Sequence, residues 1–414
     1  MDRRVVVTGW GMVTSLSSEV DDCWQRILAG ESGIHEIKLV ENADLKVKIG
    51  GDVYDWDPAA ALGQKEARKV DRFCQFAVVG AQDAVRSCGI DFASIDDMRK
   101  YGCILGSGIG GLMTFSEQME KLLNRGPDRV SPMTIPKLML NAGGGNIAIQ
   151  FGLQGPNYSI ATACASASNA MGDALTTIRR GECDFLVTGG SEAAVTRIGL
   201  GAFQNMRALS LRNDEPAKAS RPFDADRDGF VLSEAAGILI FEELEHAKAR
   251  NAEILAEVIG FGTTCDAFHI TSPDPNGVGA SGAMVKALAD AKLNPDQVDY
   301  INAHGTSTPL GDKAETLAVK KVFGDHAYKV AISSTKSQIG HSLGASGGVE
   351  LIFAIKAIRN NVIPPTINLD TPDPDCDLDY TPNQPNERPT KIAMSNSFGF
   401  GGHNASVIVK EFID

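Results

Sequence analysis

One cysteine and two histidines among the 414 residues have the type and setting to do covalent chemistry together. Cys164 lies in Gly155-Pro156-Asn157-Tyr158-Ser159-Ile160-Ala161-Thr162-Ala163-Cys164-Ala165-Ser166, with small residues on both sides and a helical pattern running on to Arg180. A turn at a helix N-terminus offers free backbone N–H groups and the positive end of the macrodipole. Both predict a lowered thiol pKa, as a nucleophile needs. The alternative for a lone cysteine is a buried, inert thiol, so its partners decide between the two readings.

His304 stands in Asn302-Ala303-His304-Gly305-Thr306-Ser307-Thr308, after an apolar run, and His341 in Lys336-Ser337-Gln338-Ile339-Gly340-His341-Ser342-Leu343-Gly344. Both occupy glycine-flanked loops, where α/β folds place their chemistry. Two neutral imidazoles can donate hydrogen bonds to a thioester oxygen as charge builds on it during decarboxylation to an enolate. Metal ligation is the rival use, but no carboxylate or cysteine stands beside either histidine at ligand spacing, so no metal is expected.

The elements that must carry these residues read as α/β. Short apolar runs at 4–8, 103–106, 185–188, 237–241, 300–303 and 330–333 predict buried strands, alternating with helical patterns and favouring a parallel sheet. One helix is predicted over 72–88, and others after Ser18, Ala163, Gly311 and Gly344; Ser18 with Asp21 reads as a capping arrangement. A strand leading into glycine opens both Arg4-Val5-Val6-Val7-Thr8-Gly9 and Glu257-Val258-Ile259-Gly260-Phe261-Gly262, which predicts two similar halves, 1–255 with the cysteine and 256–414 with the histidines.

Bulk properties exclude several classes. With 43% apolar and 22% charged residues the chain is an ordinary globular one, and its charge of −13 argues against a nucleic-acid or anionic-membrane surface. No apolar stretch approaches the length of a membrane helix, and the opening run is too short for a signal peptide. Eight scattered cysteines without a C-x-x-C pair suggest neither a disulfide framework nor a zinc site, so a reducing cytoplasm is expected. Gly106-Ser107-Gly108-Ile109-Gly110-Gly111 also fits G-x-G-x-x-G and raises a nucleotide-binding alternative, although no acidic residue is clearly placed at a second strand end.

Thr162-Ala163-Cys164-Ala165-Ser166, Asn302-Ala303-His304-Gly305-Thr306-Ser307-Thr308, Lys336-Ser337-Gln338-Ile339-Gly340-His341 and Asn396-Ser397-Phe398-Gly399-Phe400-Gly401-Gly402, in this order, closely resemble the β-ketoacyl-[acyl-carrier-protein] synthases of the thiolase-like superfamily, in their synthase II branch. The resemblance runs the whole length and implies a duplicated, five-layered α-β-α-β-α fold and a homodimer. It implies that Cys164 accepts an acyl group from an acyl carrier protein, and that malonyl carrier protein then loses CO2 and attacks, giving a β-ketoacyl thioester two carbons longer. By the same resemblance His304 and His341 are the histidine pair, Lys336 the charged orienting residue and Glu350 the acid behind it. Phe400 is the gate, and its N–H forms the oxyanion hole with that of Cys164. Thr306 and Thr308 hold the phosphopantetheine arm, which the carrier supplies, so no cofactor is bound to the enzyme itself. Ile109, Phe203 and Phe400 line the acyl pocket, and Lys65, Arg68, Lys69, Arg207 and Arg212 form a cationic dock for the acidic carrier.

Three departures stand out: Ser233-Glu234-Ala235-Ala236 where glycines usually flank the glutamate, Ala167-Ser168 where glycine is usual, and His403 for threonine. They bear on substrate length and loop motion, not on the basic chemistry. A thiolase would place a second cysteine near the C-terminus, where Gly399-Phe400-Gly401-Gly402 stands, and a synthase III would pair its cysteine with histidine and asparagine. A polyketide or specialised-lipid ketosynthase shares all these motifs. A chain-length-determining subunit of a heterodimer would have lost the nucleophile.

Overall fold

A computed structural model describes residues 3–414. Its main sheet has ten strands: β1 Val5–Val13, β2 Tyr101–Gly106, β3 Asn157–Ile160, β4 Phe185–Ala193, β5 Glu234–Glu243, β6 Ala256–Cys265, β7 Tyr300–Asn302, β8 Ala331–Ser333, β9 Ile392–Gly399 and β10 His403–Lys410. The spatial order is β3-β2-β4-β5-β1 in the first half and β8-β7-β9-β10-β6 in the second. Each strand of the second half thus takes the place of its counterpart five strands earlier. Pairing directions repeat as well: β2 is parallel to β3 and β4, while β4–β5 and β5–β1 are antiparallel, and the same holds for β7 with β8 and β9, β9–β10 and β10–β6.

The sheet is therefore mixed, which corrects the parallel expectation. β9 returns into β10 through a tight turn, a connection that forces antiparallel pairing. The halves join where β1 meets β6 over only three residue pairs, Val5–Val7 against Ala256–Val258.

Three apolar clusters explain the layering. Helices Ser166–Arg179 and Ser346–Asn360 lie in the central one, with Met171, Leu175 and Ile178 from the first and Leu351, Ile352 and Ile355 from the second. Every residue from Ser346 to Ile358 is buried, so this helix is covered all round rather than on one stripe. The Arg72–Cys88 helix backs the first half from outside through Phe73, Phe76 and Ala84, and Val278–Ala291 with Pro309–Phe323 back the second through Met284, Leu288 and Val319. The result is the five-layered α-β-α-β-α arrangement.

The Arg72–Cys88 helix starts on its Asp71 cap and stops at left-handed Gly89. Two other helix starts differ from expectation. The first helix runs Val20–Leu28 with Glu19 as an N-cap that makes no side-chain bond, so Ser18 does not cap it; Ser17 Oγ instead accepts the Glu19 N–H at 3.1 Å. Gly311 lies inside its helix, which begins at Pro309, a residue suited to a first turn where the N–H has no partner.

Candidate active site

The central helices position the chemistry. In the first half, β3 leads into the turn carrying Cys164 and then into Ser166–Arg179; in the second, β8 leads through His341 into Ser346–Asn360. Ala163 and Leu343, each three residues before its helix, both have φ 49°, a left-handed conformation costly for a residue with a Cβ. The strained turn occurs twice because it aims the following N–H, that of Cys164 or of Gly344, inward. Cys164 and His341 therefore sit in equivalent loops of the two halves.

Those loops meet at the centre. Cys164 Sγ lies 3.0 Å from His341 Nε2, and His341 Nδ1 lies 3.0 Å from Ser346 Oγ. The His304 ring stands edge-on to His341, with centroids 5.3 Å apart and planes at 85°. All three residues are buried. Burial, reinforced by the Lys336 charge, holds both imidazoles well below the usual histidine range, so both are neutral at pH 7.

The thiol departs from expectation. Burial pushes it up to about 12, outweighing the Lys336 charge and the backbone N–H groups of Phe400 and Cys164 that favour the thiolate. Desolvation here outweighs what the helix N-terminus contributes, so the resting group is S–H. The fold also assembles a Cys-His-His donor set, its ligand atoms within 4.8 Å of one another, which local spacing did not reveal. The Lys336 ammonium that disfavours imidazolium in this site equally disfavours a divalent cation.

Lys336 is buried and paired with Glu350 on the central helix. Glu350 is raised to about 7, burial outweighing its partner's charge. Two further buried acids were not anticipated. Glu315 accepts the backbone N–H of His304 at 2.9 Å and of Gly305 at 2.8 Å, fixing the histidine loop. The available signal was two acids, Asp312 and Glu315, on the buried face of the helix that follows His304.

Glu192 is the other. Its carboxylate accepts the N–H groups of Gly108 at 2.6 Å, Ile109 at 3.2 Å and Gly110 at 3.2 Å, the Ser107 hydroxyl at 3.1 Å and the Gly344 N–H at 3.2 Å. The Gly106–Gly111 loop thus does hold an anion in a nest of N–H groups, but that anion is a side chain of the same protein. The nucleotide alternative loses its binding loop. The signal was a lone acid near the end of the otherwise apolar, glycine-containing strand β4.

A cavity of about 210 Å³ opens beside Cys164 and is lined by Ile109, Phe203, Phe230, Leu343 and Phe400 on one side. Thr306, Thr308 and Gly311 line its other side, and the two threonine hydroxyls lie 3.0 Å apart. A Cβ on Gly311 would stand 2.5 Å from Thr308 Oγ1, so glycine there makes room for that hydroxyl. The Phe400 turn is tied to the segment after β6: Asp266 N–H donates to Gly402 O at 2.9 Å and Gly401 N–H to Ile270 O at 2.7 Å. Of the departures, His403 pairs across the sheet with Cys265, and Ser168 Oγ lies 2.7 Å from Ser397 Oγ, joining the cysteine helix to the strand that carries the Phe400 turn. Ser233 is buried, and a Cβ on Gly51 would lie 2.7 Å from its Cβ.

The basic residues lie on the surface in two segments. Lys65, Arg68 and Lys69 form one exposed turn in which Lys69 pairs with Glu66 at 2.7 Å. Arg207 is exposed just past the helix bearing Phe203, and Arg212 reaches Glu215 at 3.9 Å.

Residues 2–247 match the family model described as beta-ketoacyl synthase, N-terminal domain, and residues 255–370 that of the C-terminal domain. The 3-oxoacyl-[acyl-carrier-protein] synthase 2 of Synechocystis sp. is 48% identical over 99% of this chain and 98% of its own, and that of Coxiella burnetii 48% over 100% and 99%. Among solved structures, the ishigamide ketosynthase/chain length factor superposes with a TM-score of 0.94 at 33% identity, covering 100% of both chains. A beta-ketoacyl synthase from Burkholderia phymatum gives 0.91 at 34%, covering 99% of this chain and 100% of its own.

Proposed function

This chain belongs to the beta-ketoacyl synthase family, and from that premise we propose that it extends acyl chains by decarboxylative Claisen condensation with malonyl-[acyl-carrier-protein], in fatty-acid elongation. One observation carries the reading: a buried thiol 3.0 Å from one neutral imidazole and beside a second. The fatty-acid branch is supported by 48% identity to the synthase 2 enzymes, against 33% to the ishigamide ketosynthase.

In the loading step the Cys164 proton passes to His341 Nε2 as sulfur attacks the acyl thioester carbonyl. The oxyanion meets the N–H groups of Cys164 and Phe400, and its collapse expels the pantetheine sulfur, which takes the proton from His341. Malonyl carrier protein then enters. Its C–C bond breaks to release CO2, and the electrons pass to an enolate whose oxygen accepts hydrogen bonds from His304 and from His341, the latter now as the tautomer with its proton on Nε2 and Nδ1 accepting from the Ser346 hydroxyl. The enolate carbon attacks the acyl-Cys164 carbonyl, the carbon–sulfur bond breaks to give the β-ketoacyl carrier protein, and the departing Cys164 sulfur takes a proton that enters from solvent through His341, restoring the resting thiol. Neutral imidazoles suit this task, since each can donate to a forming oxyanion without first losing a proton. Burial, reinforced by the Lys336 charge, keeps them neutral.

Thr306 and Thr308 would hydrogen-bond the phosphopantetheine arm, which arrives on the carrier; no resident cofactor is needed. Lys65, Arg68, Lys69, Arg207 and Arg212 would meet the acidic carrier. A homodimer is proposed from the open edge of β3, with exposed Tyr158, and from the apolar side chains Phe115, Met119, Leu122 and Leu123 exposed on helix Leu112–Arg125. The compartment proposed is the reducing cytoplasm, consistent with eight unpaired cysteines; no helix of the described residues is long and apolar enough to cross a membrane.

The test is intact-mass analysis after incubation with carrier proteins bearing a ladder of acyl chains. Acyl mass should appear on the wild type and not on Cys164→Ser, and malonyl carrier protein should clear it as a product two carbons longer. A folded protein that takes up no acyl group of any length would overturn the proposal.

A further inference from the structure

We propose that Glu192 is a specificity-determining positioning residue: by clamping the Ile109 loop to the Gly344 turn, it sets the length of acyl chain the pocket accepts. The proposal rests on the condensing reading above and deepens it.

Three observations lead there. First, the carboxylate bridges the two halves, since the Ser107–Gly110 loop belongs to the first and Gly344 to the second. Second, what it clamps is pocket wall: Gly108 and Ile109 line the cavity from the first half, and Leu343, next to Gly344, lines it from the second. Third, the cavity of about 210 Å³ is smaller than the roughly 300 Å³ at which ligand pockets usually begin, so a longer acyl chain needs a wall to give way. Ile109 stands in the clamped loop just before helix Leu112–Arg125, the proposed dimer face, so the hold of Glu192 on that loop decides whether this wall can yield.

The clamp has a definite geometry. Gly344 N–H occupies, in the second half, the place that Cys164 N–H occupies in the first, after the same left-handed residue and before the equivalent helix. In the loading step proposed above the Cys164 N–H would donate to the thioester oxygen; that of Gly344 is taken by Glu192. Any Cβ at Gly108 or Gly344 would come within 2.9 or 2.7 Å of Glu192 Oε2, so both glycines are required for the carboxylate to reach. Five donors on two oxygens leave little acceptor capacity unused, which makes the loop conformation a single well-defined state.

Glu192→Gln replaces one accepting oxygen with a donating amide, and either orientation leaves at least two N–H groups facing it without an acceptor. Ser107→Ala removes one donor and keeps the charge. Both variants and the wild type are loaded with acyl carrier proteins of increasing chain length, and relative loading rates are read by intact mass. The expected result for Glu192→Gln is a profile moved toward chains at least two carbons longer, the ratio of long-chain to short-chain loading rising about tenfold while short-chain loading changes less than twofold. Ser107→Ala shifts the profile in the same direction by less. A uniform fall at every length, or an unchanged profile in whichever variant folds, overturns the role assigned to Glu192. Absence of loading in the wild type would overturn the condensing reading instead, so the two failures are distinct.

Discussion

Glu315 holds His304 by its backbone and leaves the ring to the substrate: Oε1 accepts the His304 N–H at 2.9 Å, while the imidazole faces His341 across the cavity. Replacing Glu315 by Gln keeps the shape but provides only one accepting oxygen for two N–H groups. The unpaired donor costs about 1–3 kcal/mol of stability. Condensation should fall at least tenfold through a displaced His304, with acyl loading of Cys164 nearly unchanged because His341 serves that step. Single-turnover mass analysis separates the two rates; equal losses in both would show that Glu315 supports the whole site and not His304 alone.

Cys164 is pushed up to about 12 by burial, so the thiolate fraction of the free enzyme rises roughly tenfold per pH unit across the neutral range. Alkylation of Cys164 by iodoacetamide, followed by peptide mass, should therefore climb without a plateau up to pH 10. The Lys336 charge acts against burial, so Lys336→Met should slow alkylation at every pH. A plateau near pH 7 would mean a resting thiolate.

Both histidines are held well below their usual range, so the folded state stays neutral where the unfolded chain would take up protons. That contribution is fully present above the unfolded pKa of about 6.5 and is lost as pH falls below it, by up to about 1.4 kcal/mol per unit for each histidine. Glu315 and Glu350, raised to about 7, act with opposite sign: their contribution is present at acid pH and lost as pH rises through 7. The histidine part appears as a difference. Between pH 7.5 and 5.5, urea unfolding should show His304→Gln gaining about 1 kcal/mol relative to the wild type. A pH-independent difference would place a charged imidazole in the folded site.

Gly311→Ala would drive a Cβ to within 2.5 Å of Thr308 Oγ1. The hydroxyl must turn away, so KM for the carrier-bound substrate should rise about tenfold with kcat changed less than threefold, the pattern of a lost binding contact. Steady-state kinetics with malonyl carrier protein gives both numbers. A fall in kcat alone would assign Thr308 to the chemistry.

What the chain revealed before folding followed the range of the interactions. The Arg72–Cys88 helix was legible to its ends because cap, face and terminal glycine all lie within the segment. Cys164, His304 and His341 were legible because tight loops demand small neighbours, and the ordered motifs supplied the family. The depressed thiol was misjudged because local dipoles are visible in sequence and desolvation by distant elements is not. Glu192 and Glu315 were missed for a related reason: a buried acid is explained only by the N–H groups facing it, and those of Glu192 come from segments far away in the chain. The mixed sheet was missed because an apolar run fixes burial and says nothing of direction.

Equivalent loops in two halves have a consequence for how the protein is made. The ribosome delivers the nucleophile early, its imidazole partner much later, and the Phe400 turn with β10 almost last. A nascent chain with only its first half folded carries a cysteine without the His341 partner and without the Phe398–Phe400 wall of its pocket. The proton acceptor and the far wall of the pocket are thus in place only when synthesis is complete.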